Sequence, residues 1–144
     1  MKKLVALAAL LLVGAVLTAG TPSGWLDDFA EAQKLAKEEK RPMLVLFTGS
    51  DWCGWCKKLH GDVLSKPEFE KFAASKKLVL VYIDFPQESN MTKAEKERNK
   101  QLASTYKVRG FPTTVVFDAN GKELGRMPGY SKQYIRNVTK MLKK

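Results

Sequence analysis

The two cysteines of this 144-residue chain stand three positions apart, in the segment Trp52-Cys53-Gly54-Trp55-Cys56-Lys57. The apolar run from Met43 to Phe47 before them predicts a buried strand, and the segment after them predicts a helix. Two thiols at this spacing can close and reopen a small disulfide ring, and the sequence holds no further cysteine for a structural bridge or a four-thiolate metal site. A Cys-x-x-Cys pair at a strand-to-helix turn is typical of a redox-active disulfide.

Residues 1–20 have the pattern of an export signal. Lys2 and Lys3 precede an apolar run from Leu4 to Leu17, which is short for a membrane span, and Ala19 and Gly20 offer a cleavage site. An uncleaved anchor is the alternative, and only then would the protein be attached to the membrane. We therefore expect an exported protein, periplasmic or secreted, with residues 21–144 forming one domain. In an exported chain, a single close cysteine pair favours chemistry over stapling.

The formal net charge is +10, and the excess is mostly lysine spread along the chain. Most of these lysines fall on the polar sides of predicted helices, which indicates a solvated surface with some attraction to anionic surfaces. Nucleic-acid binding would call for a basic stripe interleaved with aromatic residues, or a reader motif. Neither is present, so we expect no nucleic-acid partner.

The hydrophobic periodicity predicts the element order α-β-α-β-α-β-β-α, with helices covering both faces of a small mixed sheet. Ser23 and Ser131 are the predicted caps of the first and last helices, and Asn120-Gly121 predicts a hairpin turn. The predicted helices are 24–40, one from Cys53 that breaks near 65–67 and resumes over 68–75, 92–106 and 131–144. The predicted strands are 43–47, 78–85, 113–118 and 123–127.

Cys53 at the start of a helix is the expected nucleophile. The helix dipole and unpaired N–H groups would lower its pKa from about 8.5 into the range of roughly 3.5–7.5, and Lys57 would add positive charge. Cys56, one turn deeper, would resolve the mixed disulfide. Gly54 is expected to let the tight turn form without a side-chain clash. Trp55 is expected to be a contact for the partner or a lid on the sulfur.

Phe111-Pro112 precedes the third predicted strand. A cis peptide bond there would project the Phe111 backbone toward the redox turn, where it could pair with an extended substrate segment. The alternative is a trans proline that merely begins the strand.

The cysteine motif, the Gly110-Phe111-Pro112-Thr113 turn and the Asn120-Gly121 hairpin resemble the thioredoxin superfamily over about residues 24–143. The segments 47–51 and 65–69 are most similar to its exported members, which include the periplasmic C-terminal domain of the transmembrane thiol-disulfide reductase. The resemblance implies an α/β thioredoxin fold with a central mixed sheet of about four to five strands. It also implies that Cys53 is the nucleophile, Cys56 the resolving cysteine and Pro112 the cis proline.

The sequence departs from the thioredoxin pattern below the cysteines. Cytoplasmic thioredoxins bury an aspartate on the strand before the motif, whereas this chain offers only Leu46 or Phe47 there. Leu80 or a neighbour replaces the lysine that pairs with that aspartate. Cys56 would then be deprotonated by water, by Lys57 or by the Cys53 thiolate. Trp55 stands where thioredoxins have proline.

Two other classes of function stay open. Cys53, Cys56 and His60 at i, i+3 and i+7 could bind copper(I) or zinc on one helix face, as in a metallochaperone. A binding module with incidental cysteines could instead use the helix 93–100 and exposed tryptophans at 25, 52 and 55.

The favoured interpretation is a protein thiol-disulfide oxidoreductase with no cofactor and no metal. Its expected partners are protein disulfides and an upstream thiol or disulfide protein, and the chain is expected to be a monomer. The direction of exchange is open. The absence of histidine between the cysteines removes one means of making a strong oxidant, so reductase is favoured over oxidase or isomerase.

Overall fold

The computed structural model describes residues 21–144, and the predicted export signal of residues 1–20 lies outside the described residues. The helices are α1 (Phe29–Glu39), α2 (Gly54–Leu59), α3 (Pro67–Ser75), α4 (Lys93–Thr105) and α5 (Tyr134–Met141). The strands are β1 (Met43–Thr48), β2 (Val79–Asp84), β3 (Thr113–Phe117) and β4 (Glu123–Pro128). A π-helical turn, His60–Leu64, follows α2 directly. None of the helices within residues 21–144 has the length and apolar character needed to cross a bilayer.

The four strands form one mixed sheet in the order β2-β1-β3-β4. β1 runs parallel to β2 and antiparallel to β3, so that Val45 lies opposite Val81 on one side and Val115 on the other. β4 pairs antiparallel with β3 at the edge. This arrangement confirms the predicted α/β fold with a mixed sheet of four to five strands.

Strand β1 is buried along its whole length because helices cover both of its faces. Leu44 and Leu46 pack in one core cluster with Leu59 of α2, Phe69 of α3 and Val138 of α5. The alternate side chains of β1, together with Ala32 and Ala36 of α1, belong to the second cluster. The continuous apolar run therefore indicated a doubly covered central strand correctly.

The predicted start of the first helix is wrong. Leu26 is bonded to the sheet instead, since its N–H donates to Leu80 O (2.9 Å) and its carbonyl accepts from Tyr82 N (2.7 Å). Helix α1 can begin only after this pairing ends, and Asp28 caps it by accepting from Glu31 N at 3.0 Å. Ser23 is therefore not the cap.

The predicted cap of the last helix is also wrong. Helix α5 begins at Tyr134, three residues beyond Ser131. The Ser131 hydroxyl accepts from Gln133 N (3.1 Å) and from the Asn137 side chain (3.2 Å), which holds the loop before the helix. Trp25, expected to be exposed, is half-buried because it stacks on Phe69 with ring centroids 6.0 Å apart.

One buried hydrogen bond joins the sheet to α5. The Tyr134 and Thr114 hydroxyls lie 2.8 Å apart, and both residues are almost completely buried. Burial raises the pKa of Tyr134 well above its usual range, so the phenol stays neutral. No local sequence pattern indicates this pair.

We expect Tyr134→Phe to lower the free energy of unfolding by about 1–3 kcal/mol, because it leaves the buried Thr114 hydroxyl without its partner. Thr114→Val combined with Tyr134→Phe should cost less than the sum of the two single changes. Urea unfolding with the disulfide intact measures both. Tyr106→Phe is the control, because that hydroxyl has no hydrogen bond within residues 21–144. Equal costs for the two Tyr→Phe variants would contradict the prediction.

Candidate active site

The two cysteines lie at the junction between β1 and α2 and are joined as a disulfide. Cys53 is the N-cap of α2 in an extended conformation, and its sulfur accepts from Cys56 N at 3.3 Å. Cys56 lies in the first helical turn. Only 7% of Cys53 and 4% of Cys56 is exposed, so both cysteines of the disulfide are largely buried.

Basic and dipolar groups of α2 lie next to Cys53, while the carboxylates of Asp51 and Asp84 lie at the turn before it. The start of α2 points its unpaired N–H groups toward the sulfur, and the first turn of this helix contains no acidic residue. Lys57 and Lys58 follow on the same helix and are exposed. Helix N-termini and nearby lysines lower the pKa of a thiol.

The surroundings of Cys56 are closed and mostly neutral. Its sulfur lies 3.5 Å from Gly49 N, which donates to it. Beside it is a cavity of about 550 Å³ whose lining includes Thr48, Ser50, Lys57, His60 and Tyr82. Burial raises the pKa of Tyr82 to about 12, so this phenol stays protonated near neutral pH. No carboxylate lines this cavity among the described residues, in agreement with the missing aspartate.

Two aspartates fasten the turn that precedes Cys53, and the sequence did not single out either. Asp84, at the end of β2, accepts from Ser50 N at 3.0 Å and from the Ser50 hydroxyl. Asp51 accepts from Glu88 N (2.7 Å) and Gln87 N (3.0 Å). The available signal was topological: β1 and β2 are parallel, so the loops after them lie at the same edge of the sheet.

Trp52 forms a wall of the site on the side of the β2–α4 loop. Its ring N–H donates to Phe85 O at 2.7 Å, and its edge lies against Phe111 with centroids 6.0 Å apart. A side chain at Gly49 would place Cβ 2.5 Å from the Trp52 ring. Glycine at position 49 therefore lets the ring lie flat over the turn, although 43% of Trp52 remains exposed.

The Phe111–Pro112 peptide bond is cis. The Phe111 carbonyl oxygen lies 3.6 Å from the Cys53 sulfur, so this loop and the redox turn meet as the sequence predicted. Pro112 is buried, and its carbonyl accepts from Gly129 N at 2.7 Å. This bond brings the loop between β4 and α5 beside the proline.

Trp55 is the most exposed large apolar side chain of residues 21–144, with 61% of its surface accessible. Its ring stacks on Tyr130, a residue that no local sequence pattern singles out. The prediction that Gly54 avoids a side-chain clash in the turn is wrong, since a Cβ at that position would meet nothing within 4 Å.

The structure does not support the metal alternative. Within residues 21–144, no three His, Cys, Asp or Glu side chains are grouped so that they could hold a metal ion. His60 is exposed at the start of the π-helical turn, while Cys53 and Cys56 are bonded to each other.

A disulfide between a cysteine that caps a helix and a buried cysteine of its first turn, beside a cis proline in this α/β fold, defines a thioredoxin-fold thiol-disulfide oxidoreductase. The chain belongs to the thioredoxin-like family: the family profile described as a thioredoxin-like domain matches residues 29–144.

Two relatives and one solved structure are similar to this chain over most of its length. The disulfide bond reductase DsbH of Chlamydia pneumoniae is 40% identical over 120 residues, covering 81% of this chain and 72% of that protein. A solved structure of a DsbH oxidoreductase is 36% identical, with a TM-score of 0.73, and covers 90% of this chain and 94% of that chain. The thioredoxin-related protein DsbJ of Chlamydia pneumoniae is 30% identical over 79% of this chain, which spans 32% of DsbJ.

The hydrogen bonds of Asp51 predict that its contribution to stability depends on pH. Its hydrogen bonds from Glu88 N and Gln87 N hold the pKa of this carboxyl below its usual value. A lowered folded-state pKa stabilises the fold above the unfolded-state value of about 3.9 and ceases to do so as the pH falls through the folded-state value. The stability difference between the wild type and Asp51→Asn should therefore be largest at neutral pH and shrink in acid.

Urea unfolding at several pH values measures this difference. Glu97→Gln, which removes an exposed carboxyl of α4 beyond its first turn, is the control. A difference that is independent of pH would contradict the prediction.

Proposed function

We propose that this protein is an exported reductase of protein disulfides, working through Cys53 and Cys56. The observation that carries the proposal is the position of Cys53, which caps a helix at the surface with its sulfur 3.6 Å from the Phe111 carbonyl. That backbone is free to pair with an extended polypeptide, which would bring a partner's disulfide onto the sulfur. The similarity to DsbH of Chlamydia pneumoniae, a disulfide bond reductase, supports this direction of exchange.

The reaction proceeds in two exchanges. The Cys53 thiolate attacks one sulfur of the partner's disulfide, so that a mixed disulfide forms and the partner's other sulfur leaves as a thiolate. Cys56 then loses its proton and attacks the Cys53 sulfur. The Cys53–Cys56 bond forms, the bond to the partner breaks, and the partner leaves with both cysteines reduced. A second protein with a dithiol returns the chain to its reduced form.

The proton of Cys56 has a path out through the cavity beside it. Tyr82 stays protonated, and the cavity of about 550 Å³ has room for water between Cys56 and its rim. Lys57 and His60 lie at that rim. Water can carry the proton to the solvent, in place of the aspartate of thioredoxins.

The proposal also includes where the protein works. Residues 1–20 have the features of an export signal, and residues 21–144 form the working domain as a monomer. Outside the cytoplasm, reduction of disulfides requires a dedicated electron supply, because that environment favours oxidation. We therefore infer an upstream thiol protein as the donor.

The proposed mechanism requires the Cys53 thiol to be more acidic than the thiol of free cysteine. In Cys56→Ser, the Cys53 thiol should titrate between about pH 3.5 and 7.5, below the free value near 8.5, because the start of α2 stabilises the thiolate. In Cys53→Ser, the buried Cys56 should titrate higher. Absorbance of the thiolate in the ultraviolet gives both values. A Cys53 pKa equal to that of free cysteine would remove the basis of the mechanism.

The second prediction concerns direction and compartment. The reduction potential should lie nearer about −270 mV than −120 mV, as measured against glutathione. Cys56→Ser in the full-length chain should accumulate mixed disulfides with other proteins in the cell envelope, whereas Cys53→Ser should accumulate none. A potential near −120 mV would make the protein an oxidant, and mixed disulfides found only in the cytoplasm would refute export.

A further inference from the structure

Four side chains beside the active site form a connected group that the redox chemistry does not use. Tyr130 stacks on Trp55 with ring centroids 5.9 Å apart and planes 20° apart. The Tyr130 hydroxyl donates to Asp62 Oδ2 at 2.9 Å. Lys58 Nζ donates to the same oxygen at 2.8 Å and lies 5.3 Å from the centroid of the Tyr130 ring. We call Trp55 with Tyr130, Asp62 and Lys58 the aromatic brace.

The brace holds its charges over the working pH range. The hydrogen bond from Lys58, followed by that from Tyr130, lowers the pKa of Asp62. The same contact raises the pKa of Lys58, and the bond to Asp62 raises the pKa of Tyr130. Asp62 therefore stays ionised and Tyr130 neutral around neutral pH, which keeps the hydrogen bonds in place.

Stability alone does not account for the brace, although Tyr130 packs against the core cluster that contains Leu44. Trp55, Lys58 and Asp62 are exposed, and Tyr130 is half-buried. Exposed ion pairs of this kind add little to stability. The group fixes the position of the Trp55 ring, which stacks on Tyr130 and still has 61% of its surface exposed. A ring ordered in advance loses less entropy when another side chain packs on it.

The exposed Trp55 ring lies near the loop that a partner segment would contact. Gly129 N donates to Pro112 O, so the loop carrying Tyr130 lies beside the cis proline, and the Phe111 carbonyl reaches Cys53. Trp52 with Phe111 and Trp55 with Tyr130 thus provide two aromatic pairs near the attacking sulfur. Trp55 stacks on Tyr130, the residue after Gly129, so a segment paired with the Phe111 backbone would have the Trp55 ring as a neighbour.

The nearby charges favour an acidic segment. Lys57 follows Cys56, and Arg109 lies two residues before Phe111; both are exposed. Neither takes part in any of the five salt bridges among residues 21–144. The whole chain carries a net charge of +10. Opposite charge on the partner would raise the rate of encounter and fix its orientation.

We propose that the braced Trp55 ring binds an aromatic side chain next to the reactive cysteine of an extended, acidic partner segment. This inference rests on the proposed function, since it names the class of disulfide that the reductase takes. Stacking of this kind typically favours the aromatic side chain by about 2- to 12-fold in rate or affinity.

The test uses two acidic disulfide peptides that differ only in Phe or Ala beside one cysteine. For each variant of the protein, kcat/KM is measured on both, and the Phe/Ala ratio is the readout. The ratio cancels any general loss of redox activity. We expect about 2- to 12-fold for the wild type, close to 1 for Trp55→Ala, and an intermediate value for Tyr130→Ala.

Two further variants separate the brace from a general disturbance. Asp62→Asn weakens the ties to Tyr130 and Lys58 and should lower the ratio, while Tyr130→Phe keeps the stack and should lower it less. Glu38→Gln breaks an exposed i,i+4 pair with Lys34 on α1 and should keep the wild-type ratio. An unchanged ratio in Trp55→Ala, or a wild-type ratio near 1, would overturn the proposal.

Charge is tested with a third peptide in which the acidic residues are replaced by amides. It should react more slowly than the acidic Phe peptide at low salt, and this difference should shrink in Lys57→Gln and Arg109→Gln. Equal rates at low salt would overturn the acidic part of the inference. If wild-type protein exchanges with no peptide and with no glutathione disulfide, the proposed function itself fails; exchange without selectivity refutes only the present inference.

Discussion

The position of the redox turn depends on hydrogen bonds between two loops that leave the sheet at the same edge. Parallel pairing of β1 and β2 puts Thr48 and Asp84 side by side, and Phe85 N donates to Thr48 O at 2.9 Å. Ser50 is bonded to Asp84, and the Trp52 ring to Phe85 O. Because β1 is buried on both faces, the core holds the turn that follows it in place. Cys53, whose N–H donates to Gly49 O at 2.9 Å, is thereby positioned at the start of α2.

The same geometry explains why the fold could be predicted further than the site. The run Met43 to Phe47 and the cysteine spacing are local, and local patterns indicated the central strand, the helix after it and the redox pair. Tyr130 and Asp84 belong to the site only because distant parts of the chain meet there, and a single sequence carries no local pattern for such meetings. The Ser23 and Ser131 caps failed for a related reason: Leu26 pairs with β2, and Ser131 holds a loop, so tertiary contacts override the local signal.

The absence of an aspartate below the cysteines follows from how β1 is packed. Leu46 lies in the cluster of α2 and α3, and Phe47 lies in the cluster of α1. An ionised carboxylate at either position would be buried without a partner and would cost several kcal/mol. The polar groups beside Cys56 come instead from Thr48, Ser50 and Tyr82 at the ends of the strands, and they leave a cavity rather than a fixed base. Deprotonation of Cys56 then depends on solvent reaching that cavity, which couples the resolving step to the packing of the loop around it.

Trp55 links two properties that are separate in a motif with a small residue at this position. Its backbone lies in the first turn of α2, where it contributes to the dipole that acts on Cys53, while its side chain stacks on Tyr130 and stays exposed. Exchange of the residue between the cysteines is the usual way to alter the potential of such a pair, but here it would also remove the ring that the brace orders. The potential and the choice of partner therefore cannot be tuned independently at this position. Tyr130, which is neutral and lies outside the helix turn that bears the sulfurs, is the position where recognition can change while the electrostatics of Cys53 stay the same.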